Sequence, residues 1–170
     1  GVPTFKLGTG NHRSNYPIPE LIKGFPYYLK RQGYYTTNNE KTDYNIANEK
    51  KFIQETWNES STTASWSGRI DKKQPFFSVF NFAASHQSRT MSMPFDWYKK
   101  SVWNYLPEED RIGDNDFEMP PYFKDSPKMR KHFARVYNSI KLTDNRIGQL
   151  LEKLKKDNLL DNTIIFFYAD

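Results

Sequence analysis

Gly33-Tyr34-Tyr35-Thr36-Thr37-Asn38-Asn39-Glu40-Lys41-Thr42-Asp43-Tyr44-Asn45 is the stretch on which the reading of this chain turns. A glycine leads into a short β-prone run, Tyr34 to Thr37, and then into a polar tail. Just upstream, Pro26 suits the first turn of a helix over Pro26 to Gln32, with Phe25, Tyr28 and Leu29 as its buried stripe and Gly33 closing it at C′. In open α/β sheets, chemistry collects beyond the carboxyl ends of the strands. Lys41 falls just past this one, and two readings of it are open: surface charge on a solvated loop, or a donor for a bound anion.

Working outward, two apolar runs extend the pattern. Phe76 to Phe82 and Thr163 to Ala169 lack clean alternation, as expected of strands covered on both faces. The first runs on to His86, the second to Asp170. Before the second lies the strongest helix signal, over 126 to 156. Ser126 is placed to cap it and Pro127 takes its first position. Met129, Phe133, Val136, Ile140, Ile147, Leu150, Leu151 and Leu154 recur at helical spacing. Lys131, Arg135, Lys141, Asn145, Glu152 and Lys156 fall opposite, and Asp144 beside the apolar stripe, where it would need a hydrogen-bond partner. Residues 38 to 74 read as irregular, with a helical turn near Glu49 to Thr56. Residues 88 to 125, with four prolines, read as a long connection. Helix between apolar strands gives an α/β class: a largely parallel (mixed) central sheet flanked by helices. The two buried strands are expected to run parallel, bringing Lys41, His86 and Asp170 to one sheet edge.

Only 36% of the 170 residues are hydrophobic, but 16% are aromatic, and each of these buries enough area to sustain a core. A net charge of +5 favours anionic partners: nucleic acid, a sulfated glycan or a membrane surface. No basic run is long enough to choose among them. With no cysteine, the chain holds neither a disulfide nor a thiolate metal site. No apolar stretch reaches the length of a membrane span. The chain starts at Gly1 and stops directly after an apolar run, and is read as an internal piece of a larger protein.

Taken singly, the candidate residues have ordinary explanations. His86 can satisfy a turn, Asp170 can be a plain strand-end aspartate, and Trp66, Trp97, Trp103 and Tyr105 can be core as readily as platforms for sugar rings. Gly33, Tyr34, Thr36 and Lys41 together, however, resemble the second signature of the sulfatase family, within the alkaline-phosphatase-like superfamily. Glu40 stands where the family has glycine, and Asp43 where it often has histidine. Residues 75 to 88 are similar to the family strand that delivers an active-site histidine, here His86. The segments Pro121-Tyr122-Phe123, Asp125-Ser126-Pro127, Tyr137 to Gly148 and Asn162 to Phe167 resemble heparan N-sulfatase-like enzymes.

The resemblance implies an incomplete alkaline-phosphatase-like sandwich, with residues 1–170 an internal part of one catalytic domain. It implies a sulfuric ester hydrolase acting on sulfated carbohydrate, with Lys41 and His86 as catalytic and substrate-binding donors, Asp43 against substrate, and Asp170 as a metal ligand. Calcium and a formylglycine nucleophile are the implied cofactors, the latter from a residue outside this piece. Gly8 to Arg13 resembles the loop that follows the nucleophile helix, placing His12 or Arg13 near substrate. A periplasmic or secreted location and no nucleic-acid partner follow from the same resemblance. Two other functions stay open on the residues: a phosphoric mono- or diester hydrolase of the same superfamily, and a noncatalytic polyanion-binding module.

Overall fold

Gly33 does what its position demands. It adopts φ +89°, a left-handed conformation that costs glycine little, and turns the chain from helix α2 (Phe25–Arg31) into strand β1 (Tyr35–Asn39). The computed structural model describes residues 1–169, and the side chains of all of these but Met91 and Ser92. They fall into two compact units, residues 1–81 and 82 onward.

The first unit also contains α1 (Thr4–Leu7), α3 (Glu49–Thr56), β2 (Glu59–Ser60) and β3 (Phe76–Phe80). Its sheet has the order β2-β1-β3 and both pairings are parallel, with Tyr35 opposite Phe76 and Thr37 opposite Glu59. The α/β class and the parallel sheet hold. The strand expected over 34–37 is shifted and runs to Asn39. The expected turn at 49–56 is a two-turn helix, and β2 lies in the segment read as irregular.

Strand β1 is polar yet buried. Thr36, Thr37 and Asn38 are at most 1% exposed. Such a strand survives only if every hydroxyl and amide finds a partner. Thr36 Oγ1 donates to the Thr56 carbonyl at 3.1 Å, Thr37 Oγ1 to Ser78 Oγ at 2.8 Å, and Asn38 Nδ2 to Ser60 Oγ at 3.1 Å. Aromatic packing covers β3 on alternate sides, as the period of two requires. Phe77 meets Phe25 and Trp57, while Phe76 and Phe80 meet Trp66.

Several expectations are corrected here. All five residues of β3 are half-buried, not fully covered. Phe25 and Tyr28 are mostly exposed, and Pro26 is the buried residue of α2. Trp66 is 1% exposed and stacked among phenylalanines, which excludes it as a sugar platform.

The second unit is helical. A π-type turn at Ser88–Ser92, α4 (Phe95–Ser101) and two 3-10 turns occupy the expected long connection. Helix α5 (Pro127–Lys156) starts as expected: Ser126 Oγ accepts the Met129 N–H at 3.3 Å, and Pro127 follows. Its buried face is not the expected stripe. Ala134, Arg135, Asn138, Ser139, Leu142 and Leu154 are buried, Ile140 is 51% exposed, and Asp144 is exposed beside Lys141. The reason is Asn138, fully buried and bonded to both backbone groups of Ile112: its Oδ1 accepts the Ile112 N–H at 2.9 Å and its Nδ2 donates to the Ile112 carbonyl at 2.7 Å. That double clamp docks the 110–113 segment on the 134/138/142 face, with Ala84, Tyr98, Val102 and Leu106 packed alongside Leu142.

Thr163 to Ala169 forms no strand, and Ile164 to Tyr168 are all more than half exposed. A strand requires a hydrogen-bonded neighbour, and no backbone bond joins 164–169 to any described residue. The expectation that it forms a strand parallel to Phe76 to Phe82 in one sheet is therefore not met among the described residues.

Candidate functional site

Because all three strands are parallel, their carboxyl ends share one edge. Lys41 sits there, two residues past β1. The backbone beneath it is fastened by Asn38, whose Nδ2 donates to the Lys41 carbonyl at 3.1 Å. The same edge gathers polar groups that the sequence reading did not single out. Asn81 N donates to the Asn39 carbonyl at 2.7 Å, Asn81 Nδ2 reaches Asn38 Oδ1 at 3.3 Å, and Asn39 Nδ2 donates to the Thr62 carbonyl at 2.7 Å. Three asparagines and a serine at strand ends were visible only as turn-forming residues, because their convergence depends on register.

Asp43 follows at φ +41°, exposed, and Asn45 at φ +57°. Asn45 holds the N-terminal loop against this stretch. Its Oδ1 accepts the Arg13 N–H and its carbonyl accepts the Ser14 hydroxyl, both at 2.6 Å; a parallel bridge joins Tyr16 to Ile46. The His12–Arg13 loop is thus fastened four residues beyond Lys41. Next to it, Trp57 Nε1 donates to Tyr44 Oη at 2.8 Å. Burial raises the Tyr44 phenol, the Trp57 hydrogen bond opposes that shift, and the Glu49 carboxylate adds to it.

His86 belongs to the second unit, in the turn before Ser88. Its Nδ1 accepts the Ser88 N–H at 3.2 Å and lies 2.9 Å from Ser88 Oγ. With Nδ1 accepting, the neutral ring carries its proton on Nε2, and the ring is exposed. The turn-satisfying reading is realised at Nδ1, and Nε2 keeps a donor for other work. Asp170 lies outside the described residues. Among the described residues no group of three or more His, Cys, Asp or Glu side chains could hold a metal ion, and no helix is long and apolar enough to cross a membrane.

A parallel sheet with Lys41 just past its carboxyl edge, the backbone there held by Asn38, defines an α/β protein. The sulfatase family model matches residues 4–170, so the chain belongs to the sulfatase family. It is 35% identical over 175 residues to an ulvan-active sulfatase of Formosa agariphila, a match covering 89% of this chain and 28% of that protein. The chain thus spans little more than a quarter of that curated relative. No solved structure matches it.

Proposed function

We propose that this chain is part of the catalytic domain of a sulfuric ester hydrolase that removes sulfate from a sulfated carbohydrate. The observation that carries the reading is the family match over residues 4–170, together with Lys41, whose segment resembles the family signature, just past the carboxyl edge of a parallel sheet. The ulvan-active relative supports a polysaccharide substrate. So do the half-exposed aromatics Trp97 and Trp103 and the exposed Tyr105, each with an arginine over its ring.

In this reading Lys41 donates to the non-bridging oxygens of the sulfate, a charge-assisted contact preorganised by the Asn38 bond beneath it. His86 donates from Nε2, either to the same group or to the leaving alcohol oxygen as its bond to sulfur breaks. Asp43 accepts a hydrogen bond from the bound substrate or the nucleophile. The reading requires Lys41 and His86 to converge. A divalent metal, calcium in the resemblance, with Asp170 as a ligand, and a formylglycine nucleophile matured from a cysteine or serine complete the reading from outside the described residues. The location proposed is periplasmic or extracellular, where polysaccharide is met.

The test uses protein expressed from the complete coding sequence. Sulfate release from sulfated oligosaccharides and from an aryl sulfate should fall about a hundredfold or more in Lys41→Ala and in His86→Ala, the usual size for one preorganised donor. Hydrolysis of the matching aryl phosphate in place of the sulfate would move the assignment to the phosphoric ester branch.

A further inference from the structure

We propose that a cleft of about 280 Å³ between α4 and α5 binds an oxyanion, sulfate or carboxylate, carried by a saccharide. Phe95, Lys99, Trp103, Asp114, Lys131 and Arg135 line it, so three cations face one carboxylate. None of the three cations makes an ion pair or a donated hydrogen bond with any described residue. Lys131 and Arg135 are one turn apart on α5 and both lie against the Phe95 ring, at 4.1 and 4.8 Å. Like charges at that spacing repel, and the shared ring offsets this without neutralising either.

Arg135 is the decisive residue. It is 8% exposed, and its Nε is buried with no acceptor. A buried guanidinium is ordinarily paired with a carboxylate, because desolvating an uncompensated charge is costly. Here its contacts are aromatic faces, Phe95 and, at 5.6 Å, Tyr98. The cleft is therefore cationic on balance, with Asp114 its one carboxylate. Trp103 beside it, half-buried under Arg111 at 5.3 Å, supplies an indole wall against which a sugar ring can pack. The oxyanion follows from the charge; its saccharide carrier rests on the glycan reading above.

The experiment titrates protein expressed from the complete coding sequence with a sulfated disaccharide, the same sugar desulfated, and inorganic sulfate. Binding is followed by the part of the intrinsic fluorescence that Trp103→Phe removes. Saturation by the sulfated sugar, none by the desulfated one, and weakening of about tenfold or more in Lys131→Gln and again in Lys99→Gln/Lys131→Gln are expected. Turnover of a small aryl sulfate should be unchanged in these variants, which separates failure of this cleft from failure of the hydrolase reading. Equal affinity in the variants, or equal binding of the desulfated sugar, overturns the proposal. Inorganic sulfate binding as tightly as the sugar overturns the saccharide carrier. If no ligand binds and Lys131→Gln and Arg135→Lys lower the melting temperature, a carboxylate of the protein itself fills the cleft and the proposal falls.

Discussion

At the scale of single residues, Lys41 and Asn138 show opposite kinds of importance. Lys41 is exposed, and the bond it receives from Asn38 goes to its backbone carbonyl, which alanine would keep. Lys41→Ala is therefore expected to leave the melting temperature within a degree or so while turnover collapses. A large loss of stability with activity retained would make it a structural residue. Asn138 is the reverse. Asn138→Leu removes both bonds to Ile112 and one to the Ala134 carbonyl. The orphaned backbone groups should cost about 3 kcal/mol, read from urea denaturation. Tyr98 gives a pH signature. Burial pushes its phenol up to about 12, against the Arg135 charge and the Asn138 hydrogen bond. A group with a raised folded pKa contributes stability that is present below the unfolded value near 10 and lost as pH rises through about 12. Melting temperature should fall over that interval, and less steeply in Tyr98→Phe.

The elements were legible where local chemistry specifies them. Ser126 before Pro127 marks the start of α5, and Ser126→Ala should cost about 1 kcal/mol by thermal denaturation. Gly33 marks the α2–β1 joint; Gly33→Ala should cost about 1 kcal/mol, because its φ of +89° is strained for any residue with a Cβ even though the space around it is open. The faces of α5 were not legible. Apolar spacing ranks positions by hydrophobicity, but which side is buried is decided by the partner segment, and Asn138 selects it through hydrogen bonds that no periodicity reports. Strand β2, two residues long, has no sequence signal of its own and exists because Thr37 and Asn38 sit across from it.

At the scale of the molecule, membership of the sulfatase family could be read from Gly33, Tyr34, Thr36 and Lys41, and the parallel sheet from the alternation of helix with apolar runs. The polar cluster of Asn38, Asn39 and Asn81 at the sheet edge could not, since it depends on the register of strands about forty residues apart in the chain. Assayed alone on aryl sulfate and on sulfated oligosaccharides, the 170-residue chain should be inert, while protein from the complete coding sequence turns over. Turnover by the 170 residues alone would overturn the reading in which formylglycine and the metal site lie elsewhere.

The unpaired run Ile164-Ile165-Phe166-Phe167-Tyr168 has a practical consequence for anyone handling this polypeptide. Five consecutive apolar, β-prone side chains with no charge and no proline, and with no partner strand among the described residues, are the composition of a self-associating segment. Expressed by itself, the polypeptide should form thioflavin-binding aggregates in a concentration-dependent way, and Phe166→Lys should keep it dispersed by light scattering. The segment that the sequence marks as interior is, in isolation, a seed.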